Sequence, residues 1–115
     1  MKRDWDVIRE VLIEVEALDA KARNTATYEE GDVRGQQGLL LWKAGYLEAI
    51  DAGTMSGEAI ISPDLTWAGH DLLDTLRSKP VWEKIKSMAK DKGIELTFEA
   101  VKALGKLALE AILKS

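Results

Sequence analysis

The sequence predicts an α+β fold, mainly helical, on three observations. Apolar residues recur at three- and four-residue spacing in stretches before and after the middle of the chain. Two short β-prone runs, residues 46–51 and 58–62, face each other across the turn-like Ala52-Gly53-Thr54-Met55-Ser56-Gly57. Proline and glycine punctuate the helical stretches where one must stop and another start.

Asp4 is the expected N-cap of a first helix, residues 5–20, in which Trp5, Ile8, Val11, Leu12, Val15 and Leu18 share one face. Arg9, Glu10, Glu14 and Glu16 fall largely elsewhere, and the polar Lys21-Ala22-Arg23-Asn24 follows as a break. Thr25-Ala26-Thr27-Tyr28 is β-prone and predicts an edge strand. Gly31 and Gly35 are costly inside a helix, so residues 29–44 divide into a short helical turn (29–33) and a longer helix (34–44) ended by Gly45. The hairpin comes next. Thr66 caps a further helix with Gly69, Leu72, Leu73 and Leu76 on one face and His70, Asp74 and Arg77 on the other. Ser78-Lys79-Pro80 breaks it and opens the next helix, striped by Val81, Trp82, Ile85, Met88 and Ala89 and stopped by Gly93. Thr97 caps a closing helix through Phe98, Val101, Leu104, Ala108 and Ile112.

That order is the order of a winged helix-turn-helix: three helices on a small sheet, with the hairpin as the wing and two helices appended. The expected division is a winged domain over residues 1–78 and a helical extension over 79–115 that packs on it and dimerises.

The 115 residues fit one domain with a modest core. With no cysteine and one histidine, thiolate catalysis, disulfides and a structural zinc site fall away. No run of about 18 apolar residues suggests a membrane span. The start lacks a signal peptide's apolar stretch, so a cytoplasmic location is expected. The net charge of −4 is unevenly spread. Residues 1–50 carry seven basic and ten acidic side chains, 51–78 one and five, and 79–115 eight and five. A strong non-specific nucleic-acid binder needs clustered lysine and arginine instead.

Two stretches, "MKRDWDVIREVLIEVE" and "LTWAGHDLLDTLRSKPVWEKIK", resemble an uncharacterised family of phage and prophage proteins, a domain of unknown function. Its members start Met-Lys-Arg-Asp-x-Asp-x-Ile-Arg and carry Leu-Thr-x-x-Gly-His-x-x-Leu-Asp-x-x-Arg after a hairpin, then Val-Trp. "LTFEAVKALGKLA" resembles the family's closing helix. Lys43-Ala44-Gly45-Tyr46-Leu47 is similar to the end of the recognition helix in winged-helix regulators. The resemblance implies a phage or prophage protein with a winged fold, and it supplies no activity.

Four candidate sites follow from the residues. His70 with Asp74 one turn away has the makings of a general base, but no nucleophile motif accompanies it; a surface network of His70, Asp74 and Arg77 is the expectation. Glu29, Glu30 and Asp32 fit a solvated turn better than a cation site, and the glycines match no phosphate loop. Neither an enzyme, nor a metal, nor a cofactor is expected. On helix 34–44, Arg34, Gln36, Gln37 and Lys43 would meet base edges and phosphates, with Lys2 and Arg3 on the backbone. The consecutive Leu39-Leu40-Leu41-Trp42 must place one apolar group outward, Trp42 or Leu39, and that favours a protein contact. Leu107, Leu109 and Leu113 exceed what one buried seam absorbs and predict a homodimer through the last helix. The leading expectation is a small DNA-associated regulator on duplex DNA. The other is a winged module that engages a host protein.

Overall fold

The computed structural model describes residues 2–114. The fold is α+β and mainly helical, with a small antiparallel sheet. Its elements run α1 (Trp5–Ala17), α2 (Ala20–Thr25), β1 (Thr27–Glu29), α3 (Val33–Lys43), β2 (Leu47–Asp51), β3 (Ala59–Leu65), α4 (Trp67–Arg77), α5 (Lys79–Lys92) and α6 (Phe98–Lys114).

Asp4 caps α1, its side chain accepting from the Val7 amide, and Trp5, Ile8, Val11, Leu12 and Val15 are the buried face. The helix stops at Ala17, short of the expected Ala20. Asp19 is the reason: its carboxylate accepts from the Ala22 amide at 2.7 Å and starts α2 where a polar break was expected. No residue of α2 is buried, so apolar periodicity gave no sign of it.

The expected helical turn at 29–33 does not form. Glu29 closes β1, and Asp32 caps a single helix, its Oδ1 accepting from the Gly35 amide at 2.6 Å. Gly35 and Gly38 sit inside α3 because β1 crosses it there. A Cβ at Gly35 would overlap the Glu29 carbonyl oxygen, and one at Gly38 would lie 2.7 Å from Tyr28 Cγ. The chain leaves α3 through Gly45, at φ 87°.

The sheet order is β1-β3-β2, both pairings antiparallel. The expected hairpin is present and its second strand runs three residues beyond Ser62, to Leu65. Between Glu48 and Ile50 the register shifts, and opposite it Ser62 has φ 54°. The irregularity puts Leu47 beside Leu65 on the covered face and Glu48 beside Asp64 on the other.

Two compact units divide within α4, one ending at His70 and one beginning at Asp71, ahead of the boundary at 78 that the sequence suggested. In the first, Ile8, Val11, Leu12, Val15, Tyr28, Leu39, Leu41, Leu47 and Ile60 are buried where α1, α3 and the sheet meet. In the second, Trp82, Ile85 and Ala89 on α5 are buried along with Val101, Leu104 and Ala108 on α6. Ser78 caps α5, Pro80 lies in its first turn, and Gly93 ends it in the left-handed region. Gly105 brings α6 close to Thr75, whose methyl a Cβ would meet.

Candidate functional site

The face of α3 carries its own counter-ions. Arg34 donates to Glu14 at 2.8 Å and lies 3.5 Å from Glu10, both on α1. Lys43 Nζ donates to Glu58 on the hairpin at 2.8 Å. Gln36 spends its amide on the Glu30 carbonyl, at 3.0 Å. Tyr28 joins this network, its hydroxyl donating to Glu14 at 2.6 Å; burial first, and then Glu14, push its phenol well above the usual range. The two cations of α3, Arg34 and Lys43, are thus each matched by an acid of the same unit.

Two of the expected site residues are not on the surface. Gln37 is 1% exposed. Its oxygen accepts from the Asp4 amide at 2.9 Å and its nitrogen donates to the Lys2 carbonyl at 2.8 Å. It reads no base; it holds the extended residues 2–4, Lys2 and Arg3 among them, beside α3. Leu39 is fully buried, so it is core and not interface. The four consecutive apolar residues resolve with Leu39 and Leu41 inside and Leu40 and Trp42 half-buried. On α6, Leu107, Leu109 and Leu113 are exposed as expected, Leu113 most.

The start of α4 presents what α3 does not. Thr66 fixes it: its amide donates to the Tyr46 carbonyl at 3.2 Å, its hydroxyl donates to the Gly45 carbonyl at 2.7 Å, and the same oxygen accepts from the Gly69 amide at 3.0 Å. Gly69 lies so close to the Tyr46 carbonyl oxygen that a Cβ would overlap it. The first turn is thereby pinned on the head of β2. Trp67 leaves this anchored turn into solvent, 87% exposed, with the His70 ring tilted against it at 6.3 Å. Glu48, Leu65, Thr66, Trp67 and His70 line a recess of about 310 Å³, at the small end of ligand pockets. Glu48 and Asp64 face each other across the strands. Asp64 has Arg23 at 3.7 Å, whereas the Glu48 carboxylate has no ion pair or hydrogen bond among the described residues.

Trp67 was not singled out in the sequence, although the signal existed. At about 100° per residue, position 67 falls almost opposite the stripe of Gly69, Leu72, Leu73 and Leu76. A tryptophan there has to face out. His70 is exposed, but the expected network forms only in part: Asp74 pairs with Arg77 at 3.7 Å, while the His70 side chain has no hydrogen bond or ion pair among the described residues and lies against Trp67 instead.

Residues 2–95 match the model of a family described as "Hypothetical protein (DUF2513)". The chain belongs to this family. A relative named "Uncharacterized protein" from Haemophilus influenzae is 33% identical over 118 residues, covering 98% of this chain and 99% of the relative. No solved structure matches. The matched span takes in the extended residues 2–4 and the pinned head of α4, while the whole of α6 lies beyond it. Among the described residues no helix is long and apolar enough to cross a membrane.

Proposed function

We propose that this chain is a small, non-catalytic protein-binding module built on a winged-helix-like unit. The sheet order, with its hairpin following α3, supports the winged reading. The path into α3 fits a DNA reader less well. Helix-turn-helix motifs join their helices by about 3–4 residues, whereas residues 26–32, including all of β1, separate α2 from α3. The face that such a reader would use is internally neutralised and sits in a unit rich in acid.

One observation carries the reading: a tryptophan, 87% exposed, on an anchored turn beside a carboxylate that has no ion pair or hydrogen bond among the described residues. Tryptophan dominates protein interfaces when it is held rigidly over a small recess, since little freedom is lost on binding. Self-association through α6 is part of the same proposal, with Leu109 and Leu113 as its contact.

Capture from host lysate tests it, with and without nuclease, using the wild type and Trp67→Ala. A protein retained by the wild type through nuclease treatment and lost with Trp67→Ala is the expected result. The opposing result is specific duplex binding that falls steeply with salt. If Arg34→Ala weakens it by about 1–3 kcal/mol at one base position, the module reads DNA.

A further inference from the structure

We propose that the Trp67 recess seats a cationic side chain, a lysine or arginine presented by a basic segment of a partner protein. This rests on the protein-binding reading above and names the partner's chemistry.

The exposed indole supplies a face that attracts an ammonium or guanidinium within about 6 Å. The chain already uses this pairing in its other unit, where Lys86 Nζ lies 5.2 Å from the centre of the Trp82 ring. Glu48 also lines the recess, and its cross-strand neighbour is another carboxylate. Like charges placed directly opposite destabilise a sheet pair, and Arg23 lies on the Asp64 side of that pair. A cation over Trp67 would give Glu48 the partner it lacks and relieve the repulsion. The lining is held in place: Leu65 is buried, and Thr66 is tied by four hydrogen bonds. A side chain arriving here meets a formed site, which keeps the ordering cost low.

Charge in the surround selects the same class. The unit ending at His70 carries seven basic and thirteen acidic side chains. Arg34 and Lys43 are occupied by acids of that unit. Its field draws a basic segment in and turns an acidic one or a nucleic acid away. A long positively charged side chain on an extended peptide therefore fits: its stem on Leu65 and the indole, its head towards Glu48.

The test uses the full chain labelled with nitrogen-15. The Trp67 indole N–H resonance is identified by its loss in Trp67→Phe. Hexalysine, hexaarginine, hexaglutamate and a 12-base-pair duplex are then added separately at low ionic strength. A basic hexapeptide is expected to move the Trp67 resonance saturably, with Kd on the order of 1 mM or tighter. Glu48→Gln is expected to weaken that binding about tenfold, as loss of a charge-assisted contact does. Hexaglutamate is expected to leave the resonance still, and unchanged resonances elsewhere in the Glu48→Gln spectrum show an intact fold. Silence towards both basic peptides, or equal affinity in Glu48→Gln, overturns the cationic seat. If that silence accompanies Trp67-dependent capture from lysate, the protein-binding reading survives with a different partner chemistry. Saturable movement by the duplex alone overturns both.

Discussion

A buried amide must be answered at both its oxygen and its nitrogen, and Gln37 meets that demand with backbone groups 33 and 35 residues away. Its amide stands in for a neighbouring strand, giving the extended residues 2–4 one acceptor and one donor. The Lys2-Arg3-Asp4 stretch thus gains a structural purpose: Asp4 caps α1 with its side chain while its own amide is held by Gln37. Gln37→Leu keeps the volume but strips both partners, so it is expected to cost about 1–3 kcal/mol in denaturant unfolding. Gln36→Leu, on a half-exposed side chain, is expected to cost less than about 1 kcal/mol. Equal losses at the two positions would show that the amide of Gln37 holds nothing. From the sequence the two glutamines were indistinguishable, because the partners that bury one of them come from the extended residues 2–4, ahead of α1. Leu39 was misjudged for the same reason. Four apolar residues in a row say that one faces out, and only the tertiary packing says which.

Among the elements, those whose limits are written locally were legible: Asp4 and α1, Thr66 and α4, Ser78 and Pro80 before α5, Gly93 after it, Thr97 before α6. The hairpin was legible from its alternation and its glycine-bearing turn. α3 was harder because its glycines answer to β1 and not to helix propensity. Gly35 and Gly38 weaken the helix locally and are kept by the close crossing of Glu29 and Tyr28. Gly31 meets nothing within 4 Å. Gly35→Ala is therefore expected to lower stability by at least the roughly 1–3 kcal/mol of core overpacking, despite the gain in helix propensity. Gly31→Ala is expected to stay within about 0.5 kcal/mol of wild type. A Gly35→Ala protein as stable as the wild type would show that β1 does not press on α3. The head of α4 was half legible. Its cap and its close glycine were read correctly, while Trp67 passed unnoticed beside a histidine that drew attention as the chemically reactive group.

For the whole molecule, the sequence foresaw the charge asymmetry and the surplus of leucine on the last helix, but not how that surplus is arranged. Leu107 and Leu109 are two residues apart and so about 200° apart around α6; they flank the buried seam on opposite sides. In the proposed dimer, one pairing of α6 with its copy would cover Leu109 and Leu113, which are 48% and 75% exposed, and leave Leu107 out. Two leucines fall well short of the roughly 800 Å² per partner of a stable interface. The contact must therefore extend along the flank they share with Lys102 and Lys106, whose aliphatic stems can cover apolar surface. Twofold pairing there brings lysines of like charge together, so added salt should strengthen the dimer by screening them. Sedimentation at micromolar concentration is expected to report a dimer whose dissociation constant falls between low and moderate salt. Leu109→Ser with Leu113→Ser is expected to give a folded monomer at every salt concentration, whereas Leu107→Ser stays dimeric. Serine is the choice because a new carboxylate beside Lys102 and Lys106 would create ion pairs and blur the outcome. A wild-type monomer across that salt range would refute the dimer and leave the Trp67 recess to act on its own.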